Sequence, residues 1–114
     1  SKQREEAEKR FGVKEFVLIE NRLLEKWSNI PPKIKNLNDY LVDIIQWINV
    51  NGQPGDYALV QGDYGATKII VDYCLSKNIK AVYATTSRKV KEEVISEKVE
   101  ITRFFEHVMF REYV

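Results

Sequence analysis

The chain has 114 residues, a net charge of +1, 44% hydrophobic residues and 31% charged ones. That length suits one core and leaves little room for a second. The near-balanced charge disfavours long duplex nucleic acid as a primary ligand and leaves a small anion open.

The lone cysteine, Cys74, excludes an internal disulfide and sits among apolar helical neighbours. No apolar run reaches the length of a membrane span and no signal-peptide pattern is present, so a reducing, cytoplasmic setting is expected. Ser1 is placed to cap a first helix whose early acids, Glu5, Glu6 and Glu8, suit the helix dipole and read as a solvated face. Ala7 and Phe11 form a narrow inner face, and Gly12 supplies the stop. An α/β domain ordinarily presents a strand before its first helix, so an N-terminal strand is expected to be missing here. Val13 to Ile19, rich in β-branched and aromatic residues, predicts a mostly buried strand.

Asn21 to Trp27 predicts one or two helical turns, ended by Ser28 and the extended link that Pro31 and Pro32 impose. Asn36 then caps an amphipathic helix with Leu37, Leu41, Ile44, Ile45 and Ile48 at core spacing. Tyr40 and Trp47 flank that stripe and read as core edge or subunit contact. A turn cluster, Asn51 to Gly55, leads into the stretch around which the chain is organised.

That stretch runs from Asp56 to Lys89. A short apolar run, Tyr57 to Val60, ends in Gln61-Gly62-Asp63; a turn at Gly65 opens an amphipathic helix over Ala66 to Lys77. Its inward face is Ile69, Ile70, Tyr73 and Cys74, and Asn78 caps its end. A second apolar run, Ala81 to Ala84, spills into Thr85-Thr86-Ser87-Arg88-Lys89. Strand, turn, helix and strand make a βαβ unit, whose right-handed crossover lays both strands parallel and puts both polar clusters at strand carboxyl ends, where ligands gather. From Val90 the pattern changes to period two. Val90 to Ser96 and Lys98 to Phe105 predict an antiparallel hairpin turning near Ser96-Glu97, and Val108 to Tyr113 a last extended piece. The expected fold is one α/β domain over residues 1–114, its sheet mainly parallel with a C-terminal antiparallel hairpin.

Two constellations carry chemistry. In Gln61 to Thr67 a glycine-bearing turn lets backbone N–H groups approach a phosphate at a helix N-terminus. Neither the dinucleotide fingerprint nor a P-loop is present, and Asp63 either meets ribose hydroxyls, acts as a base, or simply begins the helix. In Thr85 to Lys89, three hydroxyls and two cations suit a phosphodiester, with Lys91 adding positive field; solvated charges entering an edge strand are the plain alternative. His107 is the only histidine, and a lone histidine is more often structural than catalytic. With no metal-ligand spacing and no G-x-S-x-G elbow, the chemistry expected here needs no metal and no cofactor.

Four segments together, WSNIPP (Trp27 to Pro32), PGDYALVQGDYGAT (Pro54 to Thr67), VYATTSRK (Val82 to Lys89) and FFEHVMFREY (Phe104 to Tyr113), resemble a small single-domain family of type III CRISPR accessory proteins. That family is related to the CRISPR-associated Rossmann-fold (CARF-like) sensor domains and ring nucleases. The resemblance covers nearly the whole chain, though family members begin with a short strand ending in a Ser-His-like step that this stretch lacks. It implies a Rossmann-like three-layer domain and a homodimer whose strand-end edges form one pocket for cyclic oligoadenylate, usually cyclic tetra-adenylate. The implied reaction is metal-independent attack of a ribose 2′-hydroxyl on the adjacent phosphate, leaving a 2′,3′-cyclic phosphate and ending an antiviral signal; a non-catalytic sensor or sponge is the rival. By this resemblance Ser87 and Arg88 carry catalysis, with Asp63 beside them and His107 as an acid. Thr85, Thr86 and Lys89 grip phosphates; Gln61, Gly62 and Tyr64 meet ribose or adenine; Gly65 and the N–H groups of Ala66 and Thr67 lie under a phosphate.

Overall fold

The computed structural model describes the backbone of residues 1–95 and 98–114 and the side chains of residues 1–87 and 107–114. Among the described residues, five helices and three strands are formed: α1 (Lys2–Phe11), α2 (Asn21–Ser28), α3 (Leu37–Tyr40), α4 (Val42–Asn51), β1 (Tyr57–Leu59), α5 (Tyr64–Ser76), β2 (Lys80–Ile95) and β3 (Lys98–Glu112). They fall into two compact units, residues 15–83 with 112–114 and residues 1–14 with 84–111; β2 and β3 run through both.

The sheet overturns the expectation of a Rossmann-like, mainly parallel, three-layer architecture. It has three strands in the order β1-β2-β3 and is mixed: β1 is parallel to β2, β3 antiparallel. Two features explain the difference. The run at Ala81 does not stop at Thr85 but continues to Ile95, because Thr, Tyr and Val favour extended backbone and β3 supplies an antiparallel partner. The second feature is Val13 to Ile19, which forms no strand. Val17 and Leu18 are 60% and 80% exposed there, the reverse of the buried strand their composition suggests. The turn expected at Ser96-Glu97 lies outside the described residues.

In the larger unit the βαβ crossover is present, and its register pairs Tyr57 with Lys80, Ala58 with Ala81 and Leu59 with Val82. One further bond, Val60 N–H to the Val82 carbonyl at 2.9 Å, extends the ladder before the chain turns away. The predicted helix over 37–48 is nearly one element. A break at Leu41 separates α3 from α4, yet the helical bonding runs through it: Leu41 N–H donates to Leu37 C=O at 2.9 Å and Ile45 N–H to Leu41 C=O at 3.0 Å. Asn36 caps it as expected, its side-chain oxygen accepting from Asn38 and Asp39 N–H.

Leu41 and Ile44 from this helix are buried against Leu23 of α2 and Ala66, Ile70 and Cys74 of α5. Each fully buried aliphatic side chain of this kind contributes roughly 1.5–3 kcal/mol. The inward face of α5 is thus rotated slightly from the predicted one: Ala66 and Val71 join it, while Ile69 and Tyr73 are half-buried. Tyr40 and Trp47 lie half-buried against the core. Asn78, just past α5, takes φ 60°, the left-handed conformation that asparagine tolerates at a helix end.

In the smaller unit α1 begins at a Ser1 cap and ends at Gly12, whose φ of 69° and N–H bond to Ala7 C=O are the left-handed stop its sequence announces. Glu6 departs from the reading of a solvated acidic face. Both its carboxylate oxygens accept from Phe110 N–H at 2.9 Å, and it also accepts from Arg10 Nη1 at 2.8 Å. Arg10 Nη1 donates in turn to the Phe110 carbonyl at 2.6 Å. α1 therefore satisfies a backbone N–H and C=O on the outer edge of β3, one way to blunt an open sheet edge.

Candidate functional site

The candidate site begins at the carboxyl end of β1. Two carbonyls that leave the ladder there are taken up by aromatic side chains from distant parts of the larger unit. Tyr113 Oη donates to Val60 C=O at 2.6 Å, and Trp27 Nε1 donates to Gln61 C=O at 3.0 Å. Tyr113 packs on Tyr83 with ring centroids 4.8 Å apart; burial, and then the nearness of Tyr83, raises its phenol above the ordinary tyrosine value.

Trp27 is held by the seating of α2. Leu23 is in the core, and Lys26 binds both oxygens of Asp43 at 3.0 and 3.1 Å while its carbonyl accepts from Tyr40 Oη at 2.7 Å. The Lys26 hydrogen bond, opposed by partial burial and helped by the lysine charge, the Ile44 N–H and Arg22, holds the Asp43 carboxyl below its usual range. The N–H edge of the indole then abuts Gly62. A Cβ at Gly62 would stand 2.8 Å from Trp27 Nε1 and 3.1 Å from two ring carbons, so only glycine fits beside it.

Beside this contact is a hollow of 280 Å³ lined by Trp27, Ser28, Ile30, Gln61, Gly62 and Asp63. It has an aromatic wall, one hydroxyl, one amide and one carboxylate. Asp63 is the N-cap of α5: its Oδ2 accepts from Ala66 N–H at 3.0 Å and its carbonyl from Thr67 N–H at 2.8 Å. The N–H groups of Ala66 and Thr67 are therefore engaged by the cap, and the phosphate role that the resemblance gives them has no donors to draw on in this arrangement. A carboxylate on the rim also repels phosphate, and it accepts readily from ribose hydroxyls or an adenine amine. Tyr64 is 96% exposed at the start of α5. Gly65 lies close to Leu37, whose Cδ1 would meet an added Cβ at 2.9 Å. The Thr67 hydroxyl is buried without a hydrogen-bond partner among the described residues.

Of the sequence-derived site residues, Gln61 to Thr67 belong to the larger unit and Thr85 to Lys89, with His107, to the smaller. Thr85 to Lys89 do not form a strand-end loop: they lie within β2. Thr85 Oγ1 donates to Met109 C=O at 2.9 Å and accepts from Met109 N–H at 3.2 Å, which commits it to the hairpin. Thr86 is exposed and Ser87 half-buried; the side chains of Arg88 and Lys89 lie outside the described residues. His107 is 8% exposed, with Nε2 2.7 Å from Glu6 Oε1 and its ring 4.8 Å from that of Phe110. Because the carboxylate can only accept, Nε2 is the donor of this pair, and Nδ1 is buried with no hydrogen-bond partner among the described residues. His107 is tied through Glu6 to α1.

Sequence reasoning passed over Trp27 as a site residue. Its signal was the WSNIPP segment, which stood out as a motif without a role. Among the described residues no three His, Cys, Asp or Glu side chains are grouped to hold a metal ion. Among them, too, no helix is long and apolar enough to cross a membrane.

Residues 1–111 match the model of a family described as "Uncharacterized protein MJ1673 family". A relative of that name from Methanocaldococcus jannaschii is 38% identical over 108 residues, which covers 95% of this chain and 84% of the relative. No solved structure matches at a significant level.

Proposed function

We propose the following function for this chain, which belongs to the Uncharacterized protein MJ1673 family: it binds cyclic oligoadenylate in the cytoplasm, as an accessory protein of type III CRISPR signalling, and takes one adenosine unit into the hollow at Trp27. The observation that carries this reading is the lining of that hollow. An indole offers a face for a base, and such stacking is the common way proteins hold unpaired nucleotides. A glutamine amide matches the donor and acceptor edge of adenine, and a rim carboxylate suits a ribose hydroxyl. At 280 Å³ the hollow is near the lower end of small-molecule sites, which suits one nucleoside of a larger ring. The nucleotide class itself rests on the family resemblance of the four motif segments.

Holding the ring is favoured over cutting it. Asp63 is occupied as a helix cap, Thr85 by the hairpin backbone and His107 by Glu6, so three of the groups assigned to catalysis or phosphate grip already have structural duties. Ring opening is the second reading, favoured by the hydroxyls and cations of Thr85 to Lys89. Attack by the ligand's own 2′-hydroxyl needs in-line positioning and charge stabilisation more than a strong base.

Titration with cyclic tetra-adenylate in chelator, followed by chromatography of the products, tests both. Saturable binding with an intact ring is the expected outcome, and linear products ending in a 2′,3′-cyclic phosphate establish the second reading. Trp27→Ala is expected to weaken binding by about fivefold or more, since base stacking is worth about 1–3 kcal/mol. Absence of binding by the folded protein at low salt overturns the assignment.

A further inference from the structure

We propose that Lys33 and Lys35 hold the phosphates of the ligand whose nucleoside fills the hollow at Trp27. The inference rests on the nucleotide reading above and assigns a contact that reading leaves open. The hollow has two walls. Trp27, Ser28 and Ile30 come from the end of α2 and the chain just after it; Gln61, Gly62 and Asp63 come from the junction of β1 with α5. Neither wall contains a cation. The N–H groups of Ala66 and Thr67 at the start of α5 are engaged by Asp63. A phosphodiester beside this hollow therefore needs its counter-charge from the chain around the rim.

The segment joining α2 to α3 supplies that charge. It leaves the hollow at Ile30 and turns over Pro31 to Ile34, where Ile34 N–H donates to Pro31 C=O at 3.2 Å. It returns through Asn36, the cap of α3, to Leu37, whose Cδ1 would stand 2.9 Å from a Cβ on Gly65, two residues past Asp63. The segment is thus an arch with one foot in each wall. Lys33 is three residues from Ile30 and Lys35 two from Leu37. Chain length alone keeps their Cα atoms within about 11 Å and about 7 Å of those feet. Pro31 and Pro32 fix the backbone angles just before Lys33, so little order has to be gained on binding.

The pairing of charges singles out the same two residues. In the larger unit Arg22 and Lys26 are bound to Asp43, and Lys68 to Asp72. Lys77 and Lys80 lie over the rings of Tyr73 and Tyr57. Among the described residues of this unit, Lys33 and Lys35 are the exposed cations left without an ion pair or a ring. No internal contact has to break before either meets a phosphate, and a mobile ammonium suits that role. One nucleoside of a cyclic oligonucleotide carries a phosphodiester on either side, so two cations match it in number.

Calorimetric titration of the whole chain with cyclic tetra-adenylate, repeated from about 50 to about 200 mM salt, tests the proposal, with circular dichroism to confirm folding. Lys33→Ala and Lys35→Ala are each expected to weaken binding about two- to fivefold at the low-salt end. Together they should reduce the slope of log affinity on log salt by about 1.4, at about 0.7 per phosphate contact. Arginine at both positions should keep the slope. Trp27→Ala should lower affinity at every salt concentration and leave the slope unchanged, because stacking releases no counterions. Lys77→Ala removes the same charge at the far end of α5, a 13-residue helix about 20 Å long, and should leave the slope unchanged. A slope that survives the double alanine change, or falls as much with Lys77→Ala, overturns the lysine assignment and leaves the hollow standing. Absence of ring binding by the folded wild type, or indifference to Trp27→Ala, overturns the hollow and this proposal with it.

Discussion

Replacing Gly62 with alanine adds a single methyl group at the point where Trp27 meets the chain. That methyl would stand 2.8 Å from Nε1 and 3.1 Å from Cε2 and Cζ2 of a rigid indole, well inside ordinary contact. The ring cannot yield by a side-chain terminus swinging aside; it must move as a whole. Moving it lengthens the 3.0 Å bond from Nε1 to Gln61 C=O. Overpacking of this kind costs about 1–3 kcal/mol and the lost hydrogen bond about 1 kcal/mol, so Gly62→Ala is expected to cost about 2–4 kcal/mol. Urea unfolding followed by circular dichroism measures it, with Trp27→Phe as companion to remove the donor while keeping an aromatic ring. The double variant should cost less than the sum of the two single ones, because the clash and the bond share one partner. A loss below about 0.5 kcal/mol for Gly62→Ala, within the range of an inconsequential surface change, refutes the packing argument and with it the rigid wall of the hollow.

Three further outcomes are expected. Burial alone would raise the Glu6 carboxyl, but the Phe110 N–H, Arg10 and His107 outweigh it and lower its pKa below 4.5. Glu6 therefore stabilises the fold above its unfolded pKa, and that contribution is lost as pH falls through the lower folded value. Urea midpoints measured from pH 6 down to pH 3 should fall more steeply for wild type than for Glu6→Gln, and parallel curves would deny the carboxylate this role. Asp63→Ala should cost about 1 kcal/mol in the same unfolding assay by removing the α5 cap. Leu41→Ala, which empties a fully buried position where α3 meets α4, should cost about 2–5 kcal/mol in guanidinium unfolding.

The helices were legible because their signals are local. Asn36 and Ser1 as caps, Gly12 as a stop and the spacing of Leu41 and Ile44 each depend on residues within a turn or two, and the structure places all of them as read. The strands were less so. Val13 to Ile19 and Thr85 to Lys89 both have β-rich composition, yet the first joins no strand of the sheet and the second continues into a 16-residue strand. Whether such a segment pairs depends on a partner elsewhere, which its own composition does not specify.

Local chemistry thus settles where this chain turns, caps and coils, and it marks Gln61 to Thr67 as a strand-to-helix junction. What that junction faces was decided by folding. Trp27 reaches Gln61 across 34 positions, and Glu6 reaches Phe110 across 104. Contacts of that separation arise from the docking of whole elements, so neither the indole wall nor the carboxylate under β3 could be read from neighbouring residues. The sequence alone determined the pieces and their ends; the tertiary structure alone decided which polar groups became structural and which were left to line a hollow.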